Sequence, residues 1–376
     1  MTILTVFFCR TSSTKFDESK PAYWNGELVS TLAKHHPGKE FVEWIIMDGP
    51  GSGNLQEDEL FTKPGGYYKW NGTLFGAGWD ENVQHALHIM KGKFDWQREK
   101  LLEENYRLLE GAGIPIKEVT TEGCWFWRKY DYGNRHITQQ QLQEKIIQTF
   151  RKDGIIPTQV NLVGWSRGGI SCHMLANAML NDSELINIPV NLFVIDPVPG
   201  ALNQQEKRVK IGSNVKEYVA FFAKDERSLG FDCVIPDVAT QTKVHIYPMA
   251  GRHATLVGNA SATGASGVKQ YAAPGEIVRH YAEVCLKRWG VSLNNTLNLT
   301  SGEVLTRLST IKGDYNSYVA MRSSVYTLST DTAGERTISW GGKTTNFTSV
   351  YGPKFSPEKG LSVGHILTSD YFRDIE

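Results

Sequence analysis

The sequence predicts an α/β fold, a mostly parallel central sheet flanked by helices, on three observations. Six short apolar runs rich in β-branched residues recur between residues 3 and 247, helical stretches separate them, and one run ends in a glycine-flanked turn, Gly164-Trp-Ser-Arg-Gly168, that opens a helix. The runs are 3–9, 41–47, 158–164, 189–195, 215–222 and 243–247. They are apolar with little alternation, so they read as strands covered on both faces. The helices predicted between them are Asp80–Met90, Asp95–Glu110, Thr138–Lys152 and Gly169–Leu180. Glu276–Trp289, apolar at Ile277, Tyr281, Val284, Cys285 and Leu286, closes the pattern.

This places residues 1–290 in one α/β domain with insertions around 50–78 and 95–136. Glycine and proline cluster in the first insertion, which is too long for a turn and reads as an ordered surface excursion. The second contains Trp125-Phe-Trp-Arg-Lys-Tyr-Asp-Tyr132, an aromatic run suited equally to a core or to a lid and acyl-binding surface. From 291 to 376 serine and threonine become frequent, with strand-like runs at 325–328 and 336–340. This tail reads as a separate subdomain, a β-rich appendage of unassigned role.

Composition narrows the function. Lysine plus arginine equals aspartate plus glutamate at 40 each, so no overall field draws the chain to nucleic acid. The five cysteines lack metal or redox spacing, and the expectation is free thiols, with no metal and no cofactor. No window reaches the roughly eighteen apolar residues of a membrane span. Met1–Cys9 reads as a strand and lacks the basic start of a signal peptide, which predicts synthesis in the cytoplasm. Gly49-Pro-Gly-Ser-Gly53 lacks the Lys-Ser/Thr pair of a phosphate loop.

The chemistry is concentrated at Ser166. A Gly-x-Ser-x-Gly pentapeptide between an apolar strand and a helix is the nucleophile elbow of an α/β-hydrolase fold. The turn is so tight that side chains two before and two after the serine would clash, hence Gly164 and Gly168. The hydroxyl then stands above the strand end, with the following helix N-terminus beneath the oxyanion that forms during attack. The backbone N–H of Arg167 is the first oxyanion donor; the second falls in Arg10-Thr-Ser-Ser13, with Thr11 favoured.

A serine nucleophile needs a base, and in this fold acid and histidine follow it in that order. Of the histidines after Ser166, His173 lies on the elbow helix, His245 in a strand, His280 mid-helix and His365 in the tail. His253, on the loop after the last sheet strand, is the predicted base. Two acids are open from the residues alone: Asp196, ending the strand after the elbow, and Asp225, ending the next.

Several segments together resemble the α/β-hydrolase family that includes the phospholipase-type lipase effectors of type VI secretion. Gly164-Trp-Ser-Arg-Gly-Gly169 is similar to that family's Gly-Phe-Ser-Arg-Gly-Ala elbow, and Phe75-Gly-Ala-Gly-Trp-Asp-Glu-Asn-Val83 to its Gly-rich entry to a helix. Asp225-Glu-Arg227 resembles its Asp-Glu-Arg-Arg segment, and Gly251-Arg-His253 its Gly-x-His loop. The family's acid sits in Asp-x-Val, which corresponds to Asp196-Pro-Val198, so the resemblance favours Asp196. The chain departs from the family at Ala254-Thr-Leu-Val-Gly258 and at Arg10-Thr-Ser12. By resemblance the substrate is a phospholipid or other lipid ester met at a membrane surface. The chain would then be exported to a target cell, with secretion-system or immunity partners. The alternatives are a carboxylesterase on a soluble ester and a catalytically silent hydrolase scaffold used for binding.

Overall fold

Six strands form one sheet in a computed structural model that describes residues 2–10, 13, 15–19, 21–40, 42–47, 49, 79–91, 120–122, 129–131, 156–200, 204–259, 270–324 and 332–351. The strands are β1 (Ile3–Phe8), β2 (Trp44–Met47), β3 (Gln159–Trp165), β4 (Val190–Ile195), β5 (Val215–Ala223) and β6 (Lys243–Met249), in spatial order β6-β5-β4-β3-β1-β2. Every pairing among them is parallel. All six predicted runs are therefore strands, and the α/β fold with a mostly parallel sheet is the observed one.

The pleat divides each strand between two cores. Leu4, Val6 and Phe8 of β1, Leu162 of β3, and Leu192 and Val194 of β4 face α2 (Trp79–Lys91) and α3 (Arg167–Leu180). Their neighbours Phe7, Val163, Trp165, Phe193 and Ile195 face α1 (Leu28–Lys34), α4 (Ala273–Arg288) and α5 (Ser301–Gly313). Period-two side chains between two helical layers explain why the runs carry almost no polar positions.

Among the described residues, several helices lie outside the stretches the sequence predicts as helical. The N-terminus of α1 is capped by Glu27, whose carboxylate accepts from the amides of Val29 and Ser30 at 3.0 and 2.9 Å, an acid outside the usual Ser, Thr, Asp, Asn set. α5 begins with a capping box in which Thr300 and Glu303 bond each other's backbone N–H. Its Val304, Leu308 and Ile311 pack in the α4 core, each burial worth about 2 kcal/mol. α6 (Tyr315–Ala320) follows at once. The described part of the tail thus holds helices as well as strands. Of its described strands, Ile338–Trp340 pairs parallel with Cys233–Ile235 and antiparallel with Lys343–Thr345.

The thiols of Cys9, Cys172, Cys233 and Cys285 are buried. Among the described residues no helix is long and apolar enough to cross a membrane. The insertion 50–78, the helices predicted at 95–110 and 138–152, Thr11, Cys124, most of the 121–136 aromatic segment, the run 325–328 and His365 lie outside the described residues.

Candidate active site

The sheet register aligns the ends of three adjacent strands. Trp165 of β3 pairs with Ile195 of β4, and Ile195 with Phe221 of β5. Ser166 and Asp196 follow directly, so they stand side by side at the carboxyl edge. The amide of Ser166 donates to Ile195 O at 2.9 Å, and that of Asp196 to Phe221 O at 2.7 Å. A parallel sheet delivers its chemistry at this edge because every connection leaves the strands here.

The turn at Ser166 has the predicted shape. Its φ is 60° and ψ −124°, a left-handed conformation that a non-glycine residue holds at a cost. A Cβ on Gly164 would lie 2.4 Å from Gly168 O, and one on Gly168 would lie 2.1 Å from Phe8 O. Both glycines are therefore required by backbone contact, the second because β1 runs against the turn. Arg167 begins α3 with its backbone N–H in the first turn, where the helix dipole favours an anion. Its side chain is turned inward, and its pKa falls to about 10 through burial and the nearby Arg208 cation.

Asp196 also has a positive φ, 43°, and its carboxylate is wholly buried. Oδ2 lies 2.6 Å from Nδ1 of His253. Oδ1 accepts from the amide of Ala223 at 3.0 Å. Arg336, arriving from the tail, donates through Nη1 to Oδ1 at 2.6 Å and through Nη2 to Oδ2 at 3.1 Å. Burial raises the pKa of Asp196, but the Arg336 cation and the hydrogen bonds from His253 and Arg336 outweigh it and hold the group below the ordinary carboxylate value.

His253 opens a short helical turn, His253–Val257, after β6, and its side chain is 2% exposed. Its ring lies between Trp165, with centroids 5.1 Å apart, and Phe231, edge-on at 5.2 Å. Its amide donates to Oε2 of Glu226 at 3.1 Å. Because Trp165 precedes Ser166, the stacking holds the imidazole over the end of the elbow strand.

Asp225, the other candidate acid, is held by the loop backbone and an arginine. Its Oδ2 accepts from the amide of Gly251 at 2.9 Å, its own amide donates to Gly251 O at 3.1 Å, and its Oδ1 accepts from Nε of Arg322 at 3.0 Å. It fastens the backbone of the histidine loop to the end of β5. Burial raises its pKa despite Lys224, the Gly251 amide and Arg322. The described histidines on the elbow helix and on α4 have other surroundings. His173 bonds Arg208 O at 2.8 Å and the Tyr218 hydroxyl at 3.1 Å, and Nδ1 of His280 accepts from the Leu299 amide at 3.3 Å.

The residues missed by sequence reasoning are the supports: Glu226, Arg322 and Arg336. Arg336 leads the strand-like run 336–340 that was noticed, but nothing local couples it to an aspartate 140 positions away. No group of His, Cys, Asp and Glu among the described residues could hold a metal ion.

No family model matches the chain, and no curated protein matches it. Among solved structures it is similar to an uncharacterized protein from Pseudomonas aeruginosa, at a TM-score of 0.45 and 13% identity, over 85% of this chain and 52% of that one. It is also similar to a Tle1 effector bound to the VgrG spike from the Type 6 secretion system, at a TM-score of 0.32 and 12% identity, over 68% of this chain and 50% of the other. The chain spans about half the length of each. Likenesses this distant carry no chemistry, which rests on the site itself.

Proposed function

We propose that the protein is a serine ester hydrolase working through an acyl-enzyme, with Ser166 as nucleophile, His253 as base and Asp196 as acid. The observation that carries this reading is the buried 2.6 Å contact of Asp196 Oδ2 with His253 Nδ1 at the strand end beside the positive-φ Ser166. Asp196 accepts the Nδ1 proton and so leaves Nε2 as the basic nitrogen. Nε2 takes the hydroxyl proton as Oγ attacks the ester carbon, and the tetrahedral oxyanion forms over the Arg167 amide and the N-terminus of α3. Collapse breaks the bond to the alcohol, which leaves with the proton from Nε2. Water, deprotonated by the same nitrogen, then releases the acid and frees the serine.

The finer reading is a lipase or phospholipase, delivered as an effector with a secretion-system partner. Its support is the resemblance of the Gly-Trp-Ser-Arg-Gly-Gly elbow and of the Asp-Pro-Val and Gly-Arg-His segments to the lipase effectors. Reporter esters of increasing acyl length, together with lipid extracts analysed by mass spectrometry, test both levels. Release of fatty acid and lysolipid supports the lipase reading. Turnover of short soluble esters alone would make the protein a carboxylesterase, and no turnover of either would leave a binding scaffold.

A further inference from the structure

We propose that Arg336 is a positioning residue of the catalytic site, holding Asp196 as a carboxylate turned toward His253, and that the C-terminal region is thereby part of the catalytic machinery. The inference rests on the serine-hydrolase reading of Ser166, Asp196 and His253.

The geometry starts from strand register. Ile338 pairs with Cys233, so Arg336, two residues earlier, comes level with Phe231, whose carbonyl accepts from Nη2 at 2.6 Å. Nη1 also donates to Ala223 O at 2.5 Å. Those two carbonyls fix the plane of the guanidinium, and Nη1 and Nη2 also each donate to one oxygen of Asp196 as a fork. Lysine carries the same charge but cannot reproduce this planar set of donors. The pair is wholly enclosed: the arginine side chain is 3% exposed and the aspartate 0%.

A carboxylate so placed is costly to ionise unless a cation neutralises it, and a protonated Asp196 could not steady an imidazolium. The fork removes that difficulty and, together with the Ala223 amide, occupies the lone pairs the histidine does not use. Burial lowers the pKa of Arg336, but Asp196 outweighs it and leaves it raised, the complement of the downward shift at Asp196. The other titratable groups facing the pair are His253, Glu226, Asp232 and Cys233, and the buried Cys233 thiol is pushed far up and stays neutral.

Removing the arginine charge leaves the Asp196–His253 pair with a net negative charge, which it neutralises by keeping a proton. The base is then available only at higher pH. The test compares native protein, Arg336→Lys and Arg336→Gln in the pH dependence of fluorophosphonate inactivation and of ester turnover. Arg336→Gln is expected to move the acid limb up by about one pH unit or more. Arg336→Lys, keeping the charge without the fork, is expected to move it less and to lower kcat with KM held, an effect that loss of packing alone does not produce. A folded Arg336→Gln protein with native kcat and an unmoved limb overturns the inference. If both single variants unfold, the double variant Asp196→Asn, Arg336→Gln, with no unpaired charge, is expected to regain the fold. A double variant no more stable than the singles also overturns it. Failure of the native protein to react with the probe would defeat the hydrolase reading instead.

Discussion

Asp196 Oδ2 and His253 Nδ1 lie 2.6 Å apart, although 57 residues separate them, whereas Asp225 is bonded to the backbone of the histidine loop at Gly251. The two acids therefore have separable effects. On the proposed reading Asp196→Asn removes the group that sets the imidazole tautomer, and it is expected to lower kcat by about 10⁴, the loss such a change causes in known serine triads. Asp225→Asn leaves Arg322 with a poorer partner and loosens the loop; breaking a buried pair of this kind costs about 3 kcal/mol. Its main signature is a lower melting temperature with a smaller loss of kcat. Steady-state kinetics and thermal melts on both variants check this, and equal mild losses would contradict the assignment of Asp196.

Ser166 holds φ 60° to present its hydroxyl, and that conformation opposes stability. Glycine adopts it freely, whereas alanine retains the strain. Ser166→Gly and Ser166→Ala should both be inactive, with the glycine variant more stable by about 1 kcal/mol. Equal melting temperatures would mean that the turn stores no strain.

Gly168 and Gly169 are neighbours with different surroundings. A Cβ at Gly168 meets the backbone oxygen of Phe8 at 2.1 Å, while at Gly169 it meets the Cβ of Pro197 at 3.0 Å. Gly168→Ala forces β1 and the elbow apart and is expected to cost about 3 kcal/mol or more. Gly169→Ala is expected to cost less. Urea denaturation measures the difference, and a fully tolerated Gly168→Ala would contradict the close approach of β1.

Burial lowers the pKa of His36, His173 and His245 to about 4 each. The offsetting partners are Glu43 at His36, the Arg208 carbonyl at His173 and Glu217 at His245. Unfolded histidine titrates near 6.5, so between about 4 and 6.5 the unfolded chain binds more protons than the folded one. Stability from these groups is present above about pH 6.5 and is lost as pH falls toward 4. His173, fully buried, contributes most, up to about 3 kcal/mol. Melting temperature should fall between pH 7 and 5, and less steeply in His173→Gln; identical slopes would contradict a neutral buried His173.

The parallel sheet and the elbow were legible because both are local. Apolar runs flanked by turns encode β1 to β6, and Gly164 and Gly168 encode their own steric need. The placement of His253 just after the last sheet strand was legible from its position in the sequence. The choice between Asp196 and Asp225 was not legible from the residues alone, because both end strands and only the three-dimensional path of the 251–253 loop separates them. The supports were hidden for a stronger reason. Arg322 and Arg336 reach the site through tail residues whose composition suggested a strand-rich appendage, and no local pattern encodes a contact across 140 positions. α1 was missed because Glu27 is an unusual cap. α5 was missed although Thr300 and Glu303 spelled a capping box, since Gly302 and the hydroxyl-rich surroundings lower helix propensity.

The measurement that tests the central claim most directly is peptide mapping by mass spectrometry after fluorophosphonate treatment of the native protein. A single adduct on Ser166, absent from Ser166→Ala and formed far more slowly in Asp196→Asn and His253→Ala, is the expected result. An adduct on another residue, or none on the native protein, would contradict the assignment of Ser166, His253 and Asp196.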